Sequence, residues 1–447
     1  MQAYNRGIVI ALATAVAVFG TGTMFLEVHQ ALLAASVALM VVLWSNEALP
    51  MAVVSLLPII LFPSLGIIDT KTTASVYANP IIFLFLGGFM MAIAVEKTHL
   101  HRWMAHHLLG IFPGSVRGVI FALAFTSAML SSILSNTTTT LLLLSIGMFL
   151  SEEGSIRMRY LLAIAYGASI GGIITPIGTP PNLILLGFLN ENALPAISFA
   201  TWVAMVAPLA LTMLVVMGML LGIGVGNRRV ERSSQIAPLS SQQKKVLFFL
   251  FSLMGILFVN APIKPYWNGL GLAEEGVMLA FGLLMFVPQL QLLDWMEDKG
   301  KIPFRIMFLF GAGFAIAKAF GDTGLADVVA ASLGNFAQME PWAVLTIIAF
   351  IVTFSTEITS NTALTSVMIP VIYAFGIRYH LDTELLMMVA TLCASYAFML
   401  PIATPPNAIV MGSGSISVKA MMRYGFVLNI AGIVLIVVCA LTYWKLF

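Results

Sequence analysis

The sequence has few charged residues, only two cysteines and no basic tract. Of its 447 residues, 9% are Asp, Glu, Lys or Arg, 60% are hydrophobic, and the mean hydropathy is +1.01. About a quarter of the residues of a soluble globular domain are charged, so this composition excludes that class. The net charge of +2 does not indicate a nucleic-acid partner, and none is expected. Cys393 and Cys439 lie in apolar stretches, which favours small buried hydrophobic residues over a disulfide or a metal site.

Long apolar runs recur along the whole chain. Because about 20 apolar residues can cross a bilayer as a helix, we predict an all-α polytopic protein of the cell membrane with about eleven transmembrane helices. The first run lacks a cleavage-site pattern and is interpreted as a retained helix rather than a signal peptide. Uninterrupted spans are predicted at residues 7–26, 29–46, 50–67, 80–98, 201–225, 246–261, 272–291, 304–322 and 425–445.

Four polar motifs interrupt the apolar runs at a fixed spacing. The first tip, Ser135–Thr137, precedes the first break, Gly178–Asn182, and the second tip, Ser360–Thr362, precedes the second break, Ala403–Asn407. The asparagines of tip and break are 46 residues apart in both cases (182 − 136 and 407 − 361), and the whole block recurs at an offset of 361 − 136 = 225. This spacing indicates a structural duplication. At the same offset, Phe83–Phe85, Gly88–Phe89, Thr98, Leu100, Pro176–Ile177 and Gly187 match Phe308–Phe310, Gly313–Phe314, Thr323, Leu325, Pro401–Ile402 and Gly412.

Each tip lies between two short apolar arms, at residues 118–134 and 138–150 for the first tip and within 342–375 for the second. Arms too short to span favour two re-entrant hairpins buried in protein, with a single spanning helix carrying a polar patch as the alternative. The breaks predict interrupted helices, one starting near residue 160 and one at 386–411. The polar segment 99–117 favours an interfacial helix over a histidine metal site.

Lys and Arg in short loops set the expected orientation. The segment 226–245 contains five of them and is the strongest cytoplasmic marker. The loop before residue 160 carries Arg157 and Arg159, whereas its equivalent in the second repeat carries Asp382 and Glu384. We therefore predict inverted repeats, a cytoplasmic N-terminus and an external C-terminus. The predicted divisions are N-terminal scaffold helices 1–79, repeat one 80–225, a cytoplasmic linker 226–245, scaffold helices 246–303 and repeat two 304–447.

Inverted repeats with interrupted helices are typical of secondary transporters, which are not enzymes and bind substrate near the membrane midplane. Thr179 and Thr404 are suited to cap helices that Pro180 and Pro405 begin. Helix N-termini at the tips and breaks can bind an anion without Lys or Arg, and neither residue occurs in or beside the motifs.

Oxygen atoms at the ends of the preceding half-helices suit a hard cation such as Na⁺. Glu357 is the one acid in this core, and a structural hydrogen-bonded role is favoured over ion coupling, which stays open. The candidate ligands are Ser131, Ser135, Asn136 and Gly178 for the first sodium site, and Thr356, Ser360, Asn361 and Ala403 for the second.

The tips and breaks, above all the stretch Leu400–Ala408, make the chain resemble the divalent-anion:sodium symporter family over essentially its whole length. The resemblance implies a homodimer in membrane lipid, with a scaffold domain and a transport domain that moves as an elevator. It also implies that sodium sites use the positions named above. The substrate-binding residues that it implies are Asn136, Thr137, Thr179, Ser360, Asn361, Thr362, Thr404 and Pro405.

The leading hypothesis is sodium-coupled import of a C4-dicarboxylate such as succinate, malate or fumarate. A sodium-independent dicarboxylate exchanger, or a citrate or sulfate transporter of the same fold, remains an alternative. A membrane-embedded hydrolase is disfavoured because the chain lacks a His-Glu-x-x-His motif and an Asp pair within its spans. An ion channel is disfavoured because it needs no pair of polar tips to bind a dianion.

Overall fold

The computed structural model describes residues 2–225, 238–262 and 266–447, with the side chains of residues 2–4 excepted. Three of the basic residues that mark the predicted linker, Arg228, Arg229 and Arg232, lie outside the described residues. Lys244 and Lys245 belong to the first turns of a described helix.

The regular elements of the described ranges are α-helices with three short 3₁₀ helices. In the first half they are α1 Gln2–Gly22, α2 Val28–Asn46, α3 Met51–Val54, α4 Leu57–Ser64, α5 Thr70–Ser75, α6 Pro80–Lys97, α7 Leu100–Ile111, α8 Val116–Ser131, α9 Asn136–Phe149, α10 Gly154–Gly172, α11 Pro180–Glu191 and α12 Phe199–Leu221. In the second half they are α13 Ser241–Asn260, α14 Glu274–Leu284, α15 Trp295–Asp298, α16 Phe304–Asp322, α17 Leu325–Ser332, α18 Gly334–Ala337, α19 Pro341–Thr356, α20 Asn361–Arg378, α21 Thr383–Ser395, α22 Pro405–Gly412 and α23 Val418–Leu441.

Seven helical segments of the described chain are long and apolar enough to cross a membrane, which confirms the prediction of a multi-pass helical membrane protein. The arms that precede the two tips are shorter: α8 and α19 have 16 residues each. At 1.5 Å per residue, such an arm is about 24 Å long, less than the ~30 Å of a bilayer core. The seven segments are Asn5–Gly22, Val28–Asn46, Thr70–Lys97, Phe199–Leu221, Ser241–Asn260, Phe304–Asp322 and Val418–Leu446.

Helix bounds recur at the offset of the sequence repeat. Adding 225 to the bounds of α8 gives 341 and 356, which are the bounds of α19. Adding 225 to the first residues of α7, α9 and α11 gives 325, 361 and 405, where α17, α20 and α22 begin. The shared pattern of polar motifs is therefore accompanied by a shared pattern of helix starts.

Two predicted spans are shorter or broken in the structure, each because of a proline. The run 50–67 forms α3 and α4 instead of one helix. Proline cannot donate to the carbonyl four residues earlier, and its ring clashes with that carbonyl. For Pro58 that residue is Val54, the last of α3, and for Pro288 it is Leu284, the last of α14. The run 272–291 therefore contains a helix only as far as Leu284.

The described chain divides into two compact units. Unit one comprises Met1–Ile82, Leu183–Ala196 and Pro303–Ala394, and unit two comprises Phe83–Asn182, Ile197–Ile302 and Ser395–Phe447. The units interleave along the sequence, and the predicted division into scaffold and repeat segments stays a prediction.

Within unit two, small residues let α8 and α10 approach closely. A Cβ added to Gly171 would lie 2.3 Å from the Cα of Ala128, and one added to Gly167 would lie 2.7 Å from the carbonyl oxygen of Ala124. Small residues four apart on both helices are typical of tight packing between membrane helices. This packing fixes the first arm of the first tip against the helix that leads to the first break.

Within unit one, α16 packs closely on α20. A Cβ added to Gly313 would lie 2.6 Å from the Oγ of Ser366. The Ser366 hydroxyl donates to the carbonyl of Thr362, one turn earlier in α20. The helix that begins at the second tip therefore packs closely against α16 at Gly313.

Candidate functional site

The first tip, in unit two, is a capped helix start. Ser135 has extended backbone angles (φ −67°, ψ 148°), and its hydroxyl accepts a hydrogen bond from the Thr138 amide at 3.1 Å. Such an N-cap satisfies one of the amides that a helix leaves unpaired at its start. The Ser135 hydroxyl is thus engaged in capping.

The Asn136 side chain is held by the arm that precedes the tip. The Ser131 hydroxyl, fully buried, donates to the Oδ1 of Asn136 at 2.6 Å. A Cβ added to Gly172 would lie 2.6 Å from the same Oδ1, and one added to Gly178 would lie 2.4 Å from the Gly172 carbonyl oxygen. The structure therefore brings Ser131, Asn136 and Gly178 of the first predicted sodium site into one cluster, where glycine leaves room for close backbone approach.

The first break is tied to the residue that follows α8. The Thr175 hydroxyl donates to the carbonyl of Ser132 at 2.5 Å. Thr179 directly precedes the first residue of α11, as predicted for a cap position, and is only 4% exposed. The two interruptions of repeat one thus lie against each other within unit two.

The second break, also in unit two, has the predicted helix start. Thr404 is the N-cap residue of α22, and its hydroxyl accepts from the Asn407 amide at 3.4 Å. Pro405 and Pro406 occupy the first two helical positions, where a missing N–H costs no hydrogen bond. Ala403 precedes the cap and is buried. The helix α22 packs on α9 and α10 within this unit.

The second tip belongs to unit one. The Thr356 hydroxyl, fully buried, lies 2.6 Å from the Oδ1 of Asn361 and 2.9 Å from the carbonyl oxygen of Ala394. Ser360 occupies the N-cap position of α20 but makes no capping hydrogen bond with its side chain. Thr362 is 6% exposed at the first turn. Thr356 and Asn361 of the second predicted sodium site are therefore in direct contact.

The hydroxyl-to-amide contact recurs in both repeats. Ser131 to Asn136 and Thr356 to Asn361 are each 2.6 Å, and 131 + 225 = 356. Glu357 follows Thr356 directly as the C-cap residue of α19 and is 3% exposed. Ala403 lies in unit two and Thr356, Ser360 and Asn361 lie in unit one, so the second sodium site as a whole stays a prediction. The substrate-binding set also draws on both units and stays a prediction.

Two residues without an assigned role in the sequence analysis have defined contacts here. The amides of Asn182 and Asn407 each donate across a break to two backbone carbonyls. The signal was present in the sequence, because both asparagines were part of the repeated motifs.

Comparisons with known proteins agree with the architecture. The sequence profile of a family described as citrate transporter matches residues 39–382. The sodium-dependent dicarboxylate transporter SdcS of Staphylococcus saprophyticus is 31% identical over 427 residues, covering 88% of this chain and 82% of that protein. SdcS of Staphylococcus aureus is 30% identical with the same coverage.

Two solved transporter structures share the fold. The YdaH transporter of Alcanivorax borkumensis matches 83% of this chain and 86% of its own, with a TM-score of 0.59 and 15% identity. MtrF of Neisseria gonorrhoeae, from a class of antimetabolite efflux pumps, matches 82% of this chain and 83% of its own, with a TM-score of 0.57 and 14% identity. At such low identity the likeness concerns the fold alone.

Proposed function

The chain belongs to the divalent-anion:sodium symporter family of secondary membrane transporters, and we propose that it imports a C4-dicarboxylate together with sodium ions. Succinate, malate and fumarate are the substrates of this class that we expect. The staphylococcal relatives are sodium-dependent dicarboxylate transporters, which supports both the coupling ion and the substrate class.

The observation that carries the proposal is the repeated contact between a buried hydroxyl and the tip asparagine. Ser131 with Asn136, and Thr356 with Asn361, each place a hydroxyl oxygen 2.6 Å from an amide oxygen at the end of a short arm. Neutral oxygen ligands of this kind fit a hard, weakly held cation. Sodium is cargo, and we propose that it is coordinated by Ser131, Ser135, Asn136 and Gly178 in one site and by Thr356, Ser360, Asn361 and Ala403 in the other.

The substrate carboxylates would be bound by donors rather than by cationic side chains. The tips and breaks begin the helices α9, α11, α20 and α22, whose first amides have no partner within the helix. The positive ends of helix dipoles favour an anion there. We propose that the binding side chains and adjacent backbone come from Asn136, Thr137, Thr179, Ser360, Asn361, Thr362, Thr404 and Pro405.

Binding without Lys or Arg has a consequence for turnover. A dianion held by amides and hydroxyls loses affinity when the bound sodium leaves, because no fixed positive charge remains beside it. We propose that this coupling drives release on the cytoplasmic side. We also propose that a transport domain moves as an elevator against a homodimeric scaffold in lipid. The N-terminus is then cytoplasmic and the C-terminus external.

Citrate is the second candidate substrate, because the matching family profile is described as citrate transporter. Both substrates are multivalent carboxylates, so the same donors serve either one. Uptake of labelled citrate, compared with uptake of labelled succinate under the same sodium gradient, separates them.

The test is uptake of radiolabelled succinate into proteoliposomes containing the purified protein. We expect accumulation under an inward sodium gradient, and little uptake when choline replaces sodium at equal ionic strength. Equal uptake in both media, or uptake only when the liposomes are preloaded with a dicarboxylate, would instead identify a sodium-independent exchanger.

A further inference from the structure

Each break is bridged by one buried asparagine. Asn182 and Asn407 are the third residues of α11 and α22, and both are fully buried. The Nδ2 of Asn182 donates to the carbonyl oxygens of Thr175 (2.9 Å) and Gly172 (3.4 Å). The Asn182 amide therefore reaches back from the start of α11 to the last residue of α10 and to the irregular segment that follows it.

The second bridge has the same construction as the first. The Nδ2 of Asn407 donates to the carbonyl oxygens of Leu400 (3.0 Å) and Ala397 (3.1 Å). These acceptors lie 225 residues after Thr175 and Gly172, because 175 + 225 = 400 and 172 + 225 = 397. The acceptor side chains differ between the repeats, while the donor is asparagine in both. The two N–H donors of an amide nitrogen match the two carbonyl acceptors at each break.

The side-chain oxygen of each asparagine, unlike the side-chain nitrogen, makes no hydrogen bond within the described residues. No donor in the described ranges reaches the Oδ1 of Asn182 or of Asn407, and both atoms are buried. A buried acceptor without a hydrogen-bond partner destabilises the folded protein. The presence of asparagine at both positions is therefore explained by its donors.

The bridged carbonyl also holds the backbone of a candidate sodium ligand. The amide N–H of Gly178 donates to the Thr175 carbonyl at 3.3 Å, and the amide N–H of Ala403 donates to the Leu400 carbonyl at 3.2 Å. The Thr175 and Leu400 carbonyls therefore each accept two hydrogen bonds. One comes from the asparagine side chain, and the other comes from the backbone N–H of the predicted sodium ligand. The shared acceptor therefore anchors the peptide unit that directly precedes the candidate carbonyl.

We propose that Asn182 and Asn407 are positioning residues for the two sodium sites, an inference that rests on the proposed sodium coupling. Each asparagine anchors the turn that ends at the break residue and so restricts where the carbonyl of that residue lies, and neither asparagine is itself a ligand of the ion or the substrate. Removing a residue that orients a metal ligand without binding the metal itself typically weakens metal affinity by about 10–100-fold.

The test measures sodium binding without transport. The thermal unfolding midpoint of the purified protein is recorded against sodium concentration, with choline keeping ionic strength constant, since an ion that binds the folded state raises the midpoint. The variants are Asn182→Ala, Asn182→Asp, Asn407→Ala and Asn407→Asp. The matched control is Asn260→Ala. The Asn260 side chain donates to the Leu272 carbonyl and accepts from the Leu272 amide, but it lies outside the breaks.

We expect the half-effective sodium concentration to rise about ten-fold in the Asn182 and Asn407 variants. We expect Asn260→Ala to lower the midpoint at every sodium concentration without changing the half-effective value. Break variants that behave like Asn260→Ala would overturn the inference and leave the proposed function intact. Failure of all four break variants to fold, while Asn260→Ala folds, would also overturn it, because the role would then be structural. A wild-type midpoint insensitive to sodium would overturn the proposed coupling itself, and the inference with it.

Discussion

Replacing Thr356 with valine tests the sodium ligands most sharply. The side chain is fully buried, and its hydroxyl lies 2.6 Å from the Asn361 Oδ1 and 2.9 Å from the Ala394 carbonyl oxygen. Valine has nearly the same volume, so Thr356→Val removes the oxygen without opening a cavity. Loss of the hydroxyl removes a proposed sodium ligand, and it also removes the hydrogen bond that the Asn361 Oδ1 accepts.

The expected loss of sodium affinity follows because the sodium ion loses one of its proposed oxygen ligands. Such an interaction contributes about 1.5–3 kcal/mol, which is roughly ten- to a hundred-fold in affinity. We therefore expect the sodium concentration for half-maximal succinate uptake to rise at least about ten-fold in Thr356→Val. Initial uptake rates at saturating succinate, measured over a range of sodium concentrations, give this value.

Thr365→Val, in the next helix α20, is the matched control. The Thr365 hydroxyl is also buried, but it donates to the backbone carbonyl of Asn361, one turn earlier, at 2.7 Å. We expect this variant to keep the wild-type sodium dependence. The reasoning would be refuted if Thr356→Val kept that dependence too, or if both variants lost it equally.

Three further predictions use other parts of the chain. In a background without native cysteines, single cysteines at the exposed positions Glu152 and Asp382 should react with an impermeant thiol reagent from opposite faces of the membrane, whereas labelling from one face would contradict the inverted repeats. Thr137→Val and Thr362→Val should each weaken succinate binding in saturating sodium by roughly ten- to a hundred-fold, and calorimetric titration showing unchanged affinity in both would exclude these hydroxyls from the substrate site. Burial alone would raise the pKa of the Asp298 carboxyl, but hydrogen bonds from its two lysine partners outweigh burial and lower that pKa from 3.8 to about 2. The stability that the ionised carboxylate contributes is therefore complete above about pH 4 and is lost as the pH falls towards 2, so the difference in unfolding midpoint between wild type and Asp298→Asn should narrow over that interval and stay constant above it.

The helix starts at the tips and breaks were predictable because their signals are local. Thr404 caps α22 and Pro405 begins it, as the residue types require. The arms end at Ser131 and Thr356 close to the polar tips, since the apolar pattern stops there. Residue type and spacing alone determine these features.

Other features depended on signals that the span prediction did not use. A hydropathy pattern does not register that Pro58 removes a bond to Val54, so α3 and α4 were predicted as one span. The short helix α17 was not predicted, although the match of Leu100 with Leu325 pointed to an equivalent of α7. The repeat carried that information and hydropathy did not.

The contacts of buried side chains were the least predictable. The sequence shows that Asn182 and Asn407 recur, but the carbonyls that accept from them lie seven and ten residues earlier, across an irregular segment. Which carbonyls face a side chain depends on how that segment turns. The same holds for the bond from Thr175 to Ser132, which joins residues 43 positions apart.

The central claim, that sodium and dicarboxylate bind as linked cargo, is tested most directly by measuring succinate affinity as a function of sodium concentration, and sodium affinity as a function of succinate concentration. Linkage requires the two factors to be equal, because coupling between binding sites is reciprocal. We predict that succinate affinity rises with sodium, that sodium affinity rises by the same factor with succinate, and that Asn361→Asp loses succinate binding because it removes the amide donors and adds a negative charge. A wild-type succinate affinity that is the same with and without sodium would contradict the account.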